Sequence, residues 1–212
     1  MKQEINVFEY AKEITSAIPK GIWITTKVDK VNSMTIGWGS LGIEWGLPIF
    51  TVYVRTGRFT AEQLQKNPEF TVNIPLDDFN KKILGVCGSK SGRDIDKIKE
   101  LNLTLIDGNK ISVPAIKELP LTLECKVIYK QTQVLSEIPE DIQKSCYPQD
   151  VPSTYPMANK DVHIAFYGQI VDAYILKWYS EIFQFFSEHC PNFSNCLLKI
   201  LKPTVILQEQ YN

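Results

Sequence analysis

Short segments of alternating apolar and polar residues dominate the chain, and a period of two is that of half-buried β-strands. These segments, rich in β-branched and aromatic residues, are 21–28, 47–55, 69–75, 121–135 and 161–176. Apolar spacings of three and four predict peripheral helices at 5–18 and after Thr60. Because strands and helices do not alternate regularly, we predict a mainly β fold, an antiparallel, Greek-key-like barrel with peripheral helices.

A candidate anion site lies where a predicted strand passes into a predicted helix. The strand ends at Arg55, Thr56 and Arg58 follow, and Thr60 with Gln63 has the spacing of a capping box. Free N–H groups at a helix start and paired guanidiniums both favour phosphate. Solvated charges at a strand end are the alternative, and the residues alone leave both interpretations open.

A second candidate anion site is the polar run Ser89-Lys90-Ser91-Gly92-Arg93. Small and hydroxylated residues next to basic ones can surround a phosphate, but a polar turn that leads into a helix has the same composition. Asp94 with Lys97 and Asp96 with Lys99 follow at (i, i+3) spacing, which predicts a short surface helix carrying ion pairs.

The sequence gives little support for a dinucleotide-binding fold, a catalytic triad or a metal site. Residues 37–42 match G-x-G-x-x-G, but Gly46 and Pro48 follow where a dinucleotide-binding fold needs a helix. Two histidines and five irregularly spaced cysteines offer neither a catalytic triad nor a metal site. His163, on a predicted strand, is more typical of a hydrogen-bonded structural residue. We assign no catalytic side chain and no metal.

Composition and charge argue against a nucleic-acid-binding, membrane or exported protein. The 212 residues are 44% hydrophobic and 22% charged, with a net charge of -1, so nucleic acid and membrane are not expected partners. The acidic N-terminus lacks the apolar core of a signal peptide, and an odd number of cysteines favours free thiols. We therefore expect a cytoplasmic protein.

Seven segments, in chain order, resemble the flavin reductase-like (flavoredoxin-type) family, whose members bind FMN in a split β-barrel. The segments are 20–26 (KGIWITT), 32–39 (NSMTIGWG), 54–60 (VRTGRFT), 70–75 (FTVNIP), 87–94 (CGSKSGRD), 123–125 (LEC) and 163–168 (HIAFYG). The resemblance implies a homodimer with one FMN per subunit, bound in a cleft that the partner chain helps to close.

The resemblance also implies which residues surround the FMN. At the isoalloxazine it places Asn32, Ser33, Met34 and Thr35, and beside the ring or ribityl chain Trp38 and Ser40. Around the phosphate it places Arg55, Arg58 and Thr60, covered by Ser89, Lys90 and Ser91. From the last strand it brings His163 and Phe166 to the flavin. Thr56 joins this set because it lies between the two arginines.

The implied reaction is hydride transfer from NADH or NADPH to the flavin, followed by electron delivery to a second acceptor. The alternative is an FMN-binding electron carrier that receives electrons from a redox protein partner. In either case the cofactor supplies the chemistry and the protein supplies binding and orientation. No acid or base pair is needed.

Two regions depart from the strand pattern. Segment 136–160 is proline-rich without a clear period, which is typical of a functional lid or a mobile excursion. The family resemblance covers a domain at 1–176, and 177–212 form an extension outside it. Trp178, Ile182 and Phe186 have helical spacing, so the extension is predicted to be helical. A hairpin covering the barrel or dimer surface and an unselected tail from an altered reading frame are both compatible with it.

Overall fold

A computed structural model describes residues 1–76, 79–150 and 160–177. The strands are β1 (Lys2–Glu4), β2 (Ile22–Lys27), β3 (Val31–Ile36), β4 (Gly39–Glu44), β5 (Leu47–Arg55), β6 (Glu69–Ile74), β7 (Leu105–Ile106), β8 (Ala115–Ile116), β9 (Leu121–Thr132) and β10 (His163–Leu176). The helices are α1 (Ala11–Ala17), α2 (Phe59–Lys66), α3 (Lys82–Ser89), α4 (Lys97–Glu100) and α5 (Glu140–Cys146), with short 3-10 turns at Ile18–Lys20 and Leu135–Glu137.

The larger sheet has eight strands, of which seven follow the order β3-β2-β6-β9-β10-β5-β4 and β1 pairs with β10. The pairings along this order are antiparallel. Strands β7 and β8 form a separate antiparallel pair. Helices lie between strands in sequence without a βαβ alternation, so the prediction of a mainly β antiparallel fold with peripheral helices is confirmed.

Strand β2 shows how the sheet is buried on two sides. Ile22 and Ile24 belong to the main core, whereas Trp23 between them packs with Ile83 of α3 in a second cluster. Successive side chains of a strand point to opposite faces, so one strand serves both clusters. Full burial of such side chains contributes about 1.5–3 kcal/mol each, which makes the two clusters the main source of stability.

A close approach at Gly168 of β10 requires a glycine. A Cβ at this position would clash with the Phe70 ring of β6 and with Cys125 of β9. The register between β10 and β9 shifts immediately before it, between Tyr167 and Gly168. The strand thereby bends over the core, as bulges allow.

The predicted capping box at the start of α2 is wrong. The helix begins at Phe59, and its N-cap residue, Arg58, makes no side-chain capping bond. The Thr60 hydroxyl accepts a hydrogen bond from Asn32 Nδ2, and the Gln63 side chain donates to the carbonyl of Lys30. Tertiary partners thus occupy both side chains that the capping box would use.

Gln3–Leu176 form one compact unit, and Met1, Lys2 and Lys177 belong to another. In the second unit, the amino group of Met1 donates to the carbonyl of Lys177. The helix predicted for 177–212 lies outside the described residues, as does 151–159 of the proline-rich segment. Across the described part of the chain, no helix is both long and apolar enough to span a membrane.

Candidate functional site

A cleft of about 340 Å³ opens where β3, the β5–α2 turn and the α3–α4 loop meet. Ten residues singled out from the sequence line it: Asn32, Met34, Thr35, Trp38, Arg55, Arg58, Thr60, Lys90, Ser91 and His163. They come from segments up to 131 positions apart, since Asn32 lies on β3 and His163 begins β10. The fold therefore brings both candidate anion sites to one cavity.

The remaining predicted residues, Ser33, Ser40, Thr56, Ser89 and Phe166, are not among its lining residues. Ser33 is buried, and its hydroxyl accepts a hydrogen bond from Thr25 across the β2–β3 pair. Phe166 lies fully buried in the main core.

Ser40 is exposed and lines a neighbouring groove instead. The hydroxyl of Thr56 donates to Asp161 Oδ2, and that of Ser89 donates to the carbonyl of Gly85 one turn earlier in α3. The Ser89 contact is local, as is common for serine near helix ends, whereas the Thr56 contact joins residues 105 positions apart.

One half of the cleft, which we call the cationic end, contains Asn32, Arg58, Lys90, Arg93 and Lys97. Four of these side chains are basic, and no carboxylate is among the described residues that line the whole cleft. Lys90 pairs with Glu100 at 2.7 Å and Arg93 with Glu62 at 3.1 Å, but these carboxylates do not line the cleft, so the cavity itself faces basic groups that an anionic ligand would complement. This is the electrostatic arrangement expected of a phosphate site.

Arg93 is held in place by contacts behind its guanidinium. It donates to the carbonyl of Gly57 at 3.2 Å and to Glu62 Oε2 at 3.1 Å. Its guanidinium carbon also lies 5.5 Å from the centre of the Phe59 ring. The loop after α3 is therefore tied to the start of α2, which joins the two candidate anion segments into one wall.

Lys97 was missed as a site residue, and its predicted place on a surface helix is wrong. It is only 3% exposed, and Nζ donates to the carbonyls of Ser33 at 3.0 Å and Cys87 at 3.2 Å. Burial lowers the pKa of Lys97, an effect that the nearby Cys87 opposes. Helix α4 has only four residues, too few for a periodic pattern to reveal which side is buried.

The companion prediction for the same short helix, an ion pair between Asp96 and Lys99, is confirmed. Lys99 Nζ lies 3.7 Å from Asp96 Oδ2, and the other carboxylate oxygen of Asp96 accepts from the Lys99 main-chain N–H. Asp96 therefore caps α4. The sequence could predict this ion pair because its two residues are only three positions apart.

Asn32 contributes an unpaired acceptor to the cationic end. Its Nδ2 donates to Thr60 Oγ1 at 3.0 Å, while its buried Oδ1 has no hydrogen-bond partner among the described residues. A Cβ at Gly92 would collide with that oxygen, so a glycine is needed beside it. A buried unpaired acceptor costs about 1–3 kcal/mol, and a ligand hydroxyl or N–H could satisfy it.

Arg55 and Arg58 differ in how they are held, although three positions separate them. Arg55 is 9% exposed, and it donates to the carbonyl of Asp161 at 2.6 Å and to that of Cys146 at 2.9 Å. Burial lowers its pKa, while Asp161 acts in the opposite direction. Arg58 is exposed at the cleft wall. Arg55 thus joins the two sides of the excursion between α5 and β10.

The other half of the cleft, which we call the histidine end, is lined by Trp38, Arg55 and His163, and Tyr147 packs against these residues from behind. The rings of Trp38 and His163 lie 4.7 Å apart, and the guanidinium of Arg55 lies 5.0 Å from the Tyr147 ring centre. Burial, reinforced by Arg55, lowers the pKa of His163 to about 4. The imidazole is therefore neutral near pH 7.

Tyr147 was missed because it lies in the proline-rich segment, where no pattern marks it. Its hydroxyl lies 2.9 Å from His163 Nδ1 and 2.8 Å from Gln133 Oε1. Only the fold brings these three residues together. Among the described residues, no group of three or more histidine, cysteine or acidic side chains could hold a metal ion.

A family profile described as "Flavin reductase like domain" matches residues 15–181. The chain belongs to the flavin reductase-like family. This agrees with the resemblance of its sequence segments, and the antiparallel sheet is that of the family's FMN-binding split barrel. Family membership supports flavin binding and a flavin-related redox function.

Individual relatives are distant. A protein from Archaeoglobus fulgidus is 30% identical over 129 residues, which are 60% of this chain and 69% of that one. A flavoredoxin from Methanosarcina acetivorans has a TM-score of 0.52 and 25% identity, covering 75% of this chain and 69% of its own. An FMN-binding domain of a flavin reductase-like enzyme from Shewanella baltica has a TM-score of 0.55 at 16% identity, covering 82% and 77%.

The residues of the cleft fit a flavin nucleotide. The basic side chains of the cationic end match a phosphate dianion, and the unpaired Asn32 Oδ1 matches a ribityl hydroxyl. Aromatic and apolar groups continue the cavity towards Trp38, as a planar ring system requires.

Proposed function

We propose that this protein is an FMN-binding flavin oxidoreductase that accepts a hydride from NADH or NADPH and passes electrons to a second acceptor. The observation that carries the proposal is a cleft lined by several basic side chains and by aromatic ones, with no described carboxylate in its lining. The family supplies the expectation of a flavin, and the charge pattern supports one that bears a phosphate.

Phosphate binding falls to Arg58, Lys90, Arg93 and Lys97. Arg58 and Lys90 are exposed enough to approach a ligand directly, and Lys90 would do so by leaving Glu100, with which it pairs at 2.7 Å. Arg93, whose two terminal nitrogens already donate to Gly57 and Glu62, and the buried Lys97 add positive charge around the ligand. The two terminal nitrogens of Arg55 already donate to main-chain carbonyls. Arg55 therefore contributes positive charge and holds the cleft wall in place, and it does not bind the phosphate through these nitrogens. This division of roles refines the sequence-based expectation that Arg55 and Arg58 act as an equivalent pair.

When bound, the flavin supplies the hydride-accepting chemistry, and the chain supplies orientation. Met34, Thr35 and Trp38 also line the cleft and offer apolar and aromatic surface for a planar ring. Thr35 is held by donation to the carbonyl of Leu84 at 3.1 Å, which keeps β3 close to α3. Holding the hydride donor and the ring at near-contact distance supplies much of the rate.

An exposed apolar patch supports contact with another protein chain. Ile43 and Trp45 of the β4–β5 hairpin are 70% and 60% exposed, and the Trp45 ring lies 6.1 Å from that of Tyr129. Apolar groups clustered on a surface often mark an interface. We propose that a second copy covers this patch in a cytoplasmic homodimer, with a redox protein as the second candidate partner.

Flavin binding is tested by adding FMN to the purified protein and removing free FMN by gel filtration. A retained visible flavin spectrum with one FMN per chain is the expected result. Riboflavin, which lacks the phosphate, serves as the matched ligand and should bind at least about tenfold more weakly if the cationic end holds the phosphate. Equal affinity for both ligands would contradict the phosphate assignment.

The oxidoreductase proposal and the electron-carrier alternative differ in their response to nicotinamide. Under anaerobic single-turnover conditions, NADH or NADPH should bleach the bound flavin rapidly if the protein is a reductase. A carrier that takes electrons from a protein partner would bleach with dithionite but respond slowly to both nucleotides. Sedimentation of the wild type and of Trp45→Ser tests the dimer separately.

A further inference from the structure

Gln133, Tyr147 and His163 form a hydrogen-bonded chain that ends at the cleft. His163 lines the cleft, whereas Tyr147 lies behind it and is not among the lining residues. Gln133 follows β9, and His163 begins β10, so the chain joins the ends of two neighbouring strands to the residue after α5. The directions of its hydrogen bonds can be assigned from the donors available.

The first assignment concerns the amide of Gln133. The main-chain N–H of His163 lies 3.2 Å from Gln133 Oε1, and a main-chain N–H can only donate. The atom that faces it must therefore be the amide oxygen. The reverse orientation would place two donors against each other.

The second assignment concerns the single hydrogen of the Tyr147 hydroxyl. It lies 2.8 Å from the acceptor Gln133 Oε1, so the hydroxyl donates there. The Tyr147 oxygen can then only accept from His163 Nδ1, which is 2.9 Å away. A neutral imidazole carries one N–H, and this contact requires it on Nδ1. The low pKa of His163 excludes the doubly protonated form near neutral pH.

We propose that Tyr147 and Gln133 are positioning residues that hold His163 with its proton on Nδ1, so that Nε2 offers a lone pair to an N–H group of the bound flavin ring. This inference rests on the proposed function for the identity of the ligand. Among the described residues, the side-chain hydrogen bond of the His163 ring is the one to Tyr147, and it uses Nδ1. The cleft thus carries donors at its cationic end and an acceptor at its histidine end.

This polarity would select how a flavin nucleotide enters the cleft. A phosphate offers only acceptor oxygens near neutral pH and would be repelled by the Nε2 lone pair. An oxidised flavin ring, in contrast, carries an imide N–H that can donate to it. This orientation pairs the phosphate with the basic side chains and the imide N–H with Nε2, whereas the reverse orientation would place the phosphate against the Nε2 lone pair.

The tautomer is tested on the flavin-free protein by nitrogen-15 NMR of the histidine side chains, with His163→Phe used for assignment. The expected spectrum shows a protonated Nδ1 and an unprotonated Nε2 for His163, with increased Nε2 protonation in Tyr147→Phe. A proton on Nε2 in the wild type would overturn the inference. Tyr10→Phe, which alters a partly buried tyrosine packed on the main core, is the matched control and should leave the spectrum of His163 unchanged.

The ligand half is tested by FMN titration of the wild type, Tyr147→Phe, His163→Phe and the double variant. Loss of one neutral hydrogen bond predicts roughly threefold to tenfold weaker binding in Tyr147→Phe. Because Tyr147 acts through His163, the same change should have no effect in the His163→Phe background. Equal losses in both backgrounds would overturn the positioning role. Absence of FMN binding by the wild type would overturn the proposed function, while the NMR result judges the tautomer independently.

Discussion

The two ends of the cleft differ in how their polar groups are satisfied. At the histidine end, Arg55, Tyr147 and His163 are buried or half-buried, and protein atoms accept or donate their hydrogen bonds. At the cationic end, Arg58 and Lys90 are exposed, and the Asn32 side chain retains an unpaired oxygen within the described structure. Protein hydrogen bonds hold the histidine end in shape and leave Nε2 of His163 for a ligand, whereas the cationic end presents exposed charges and the unpaired Asn32 oxygen to one.

This difference suggests that one set of residues maintains the shape of the cleft and another provides affinity for the ligand. Buried polar groups that satisfy one another create a rigid wall, and removing one of them leaves its partners unpaired. Exposed basic groups add little to folding because water solvates them, but they can each contribute to an anion's binding energy. We therefore expect substitution of Arg55, whose hydrogen bonds are made within the protein, to act mainly on stability, and substitution of the exposed Arg58 to act mainly on ligand affinity.

The largest expected effect is that of Arg55→Ala on folding. The substitution leaves the carbonyls of Asp161 and Cys146 without their charged donor, so the free energy of unfolding should fall by about 3–5 kcal/mol. Urea denaturation measures this. Arg58→Ala is the matched control, with an expected change within about 0.5 kcal/mol. Similar losses in the two variants would remove the distinction between the ends.

A second effect is the dependence of stability on pH through His163. Its pKa is about 4 in the folded protein, below the ordinary value of 6.5, so the unfolded chain binds this proton first as the pH falls. Stability is therefore retained above pH 6.5 and lost towards pH 4, by roughly 2–3 kcal/mol. In denaturation curves recorded across that pH range, His163→Phe should not show this loss of stability. Parallel curves for both proteins would show that His163 titrates normally.

Arg58→Ala should weaken FMN binding while leaving the fold intact. The loss of one charge-assisted contact costs about 1.5–3 kcal/mol, which is roughly a tenfold to hundredfold change in affinity. Quenching of flavin fluorescence during titration provides the affinity. Lys99→Ala, at a basic residue outside the cleft whose side chain is 87% exposed, should bind FMN as the wild type does. Unchanged affinity in Arg58→Ala would remove this residue from the site.

The smallest expected effect is that of salt on FMN affinity. Raising the salt concentration about tenfold should weaken binding roughly threefold to tenfold, because exposed charges at the cationic end are screened. Arg58→Ala should show a shallower dependence, since it has one exposed charge fewer. Stability measured over the same salt range should change little. A wild-type affinity that is independent of salt would contradict an electrostatic role for this end.

The sequence was most informative where partners are neighbours along the chain. Alternating apolar residues identified β2, β5, β6, β9 and β10, and the ion pair between Asp96 and Lys99 followed from their spacing. The capping box predicted from Thr60 and Gln63 does not form, because these side chains hydrogen-bond to Asn32 and Lys30, which are distant in sequence. A capping pattern read from neighbouring residues fails when a hydrogen bond to a distant residue is available to the same side chain.

By itself, the sequence determined the mainly β class, the family and the two basic segments that border the cleft. Periodicity and local motifs carry that information because they depend on residues a few positions apart. Only the tertiary structure decided that Lys97 is buried, that Arg55 serves main-chain carbonyls and that Tyr147 meets His163. Those roles depend on the pairing of distant strands and on the desolvation that follows, and neither leaves a pattern in the neighbouring residues.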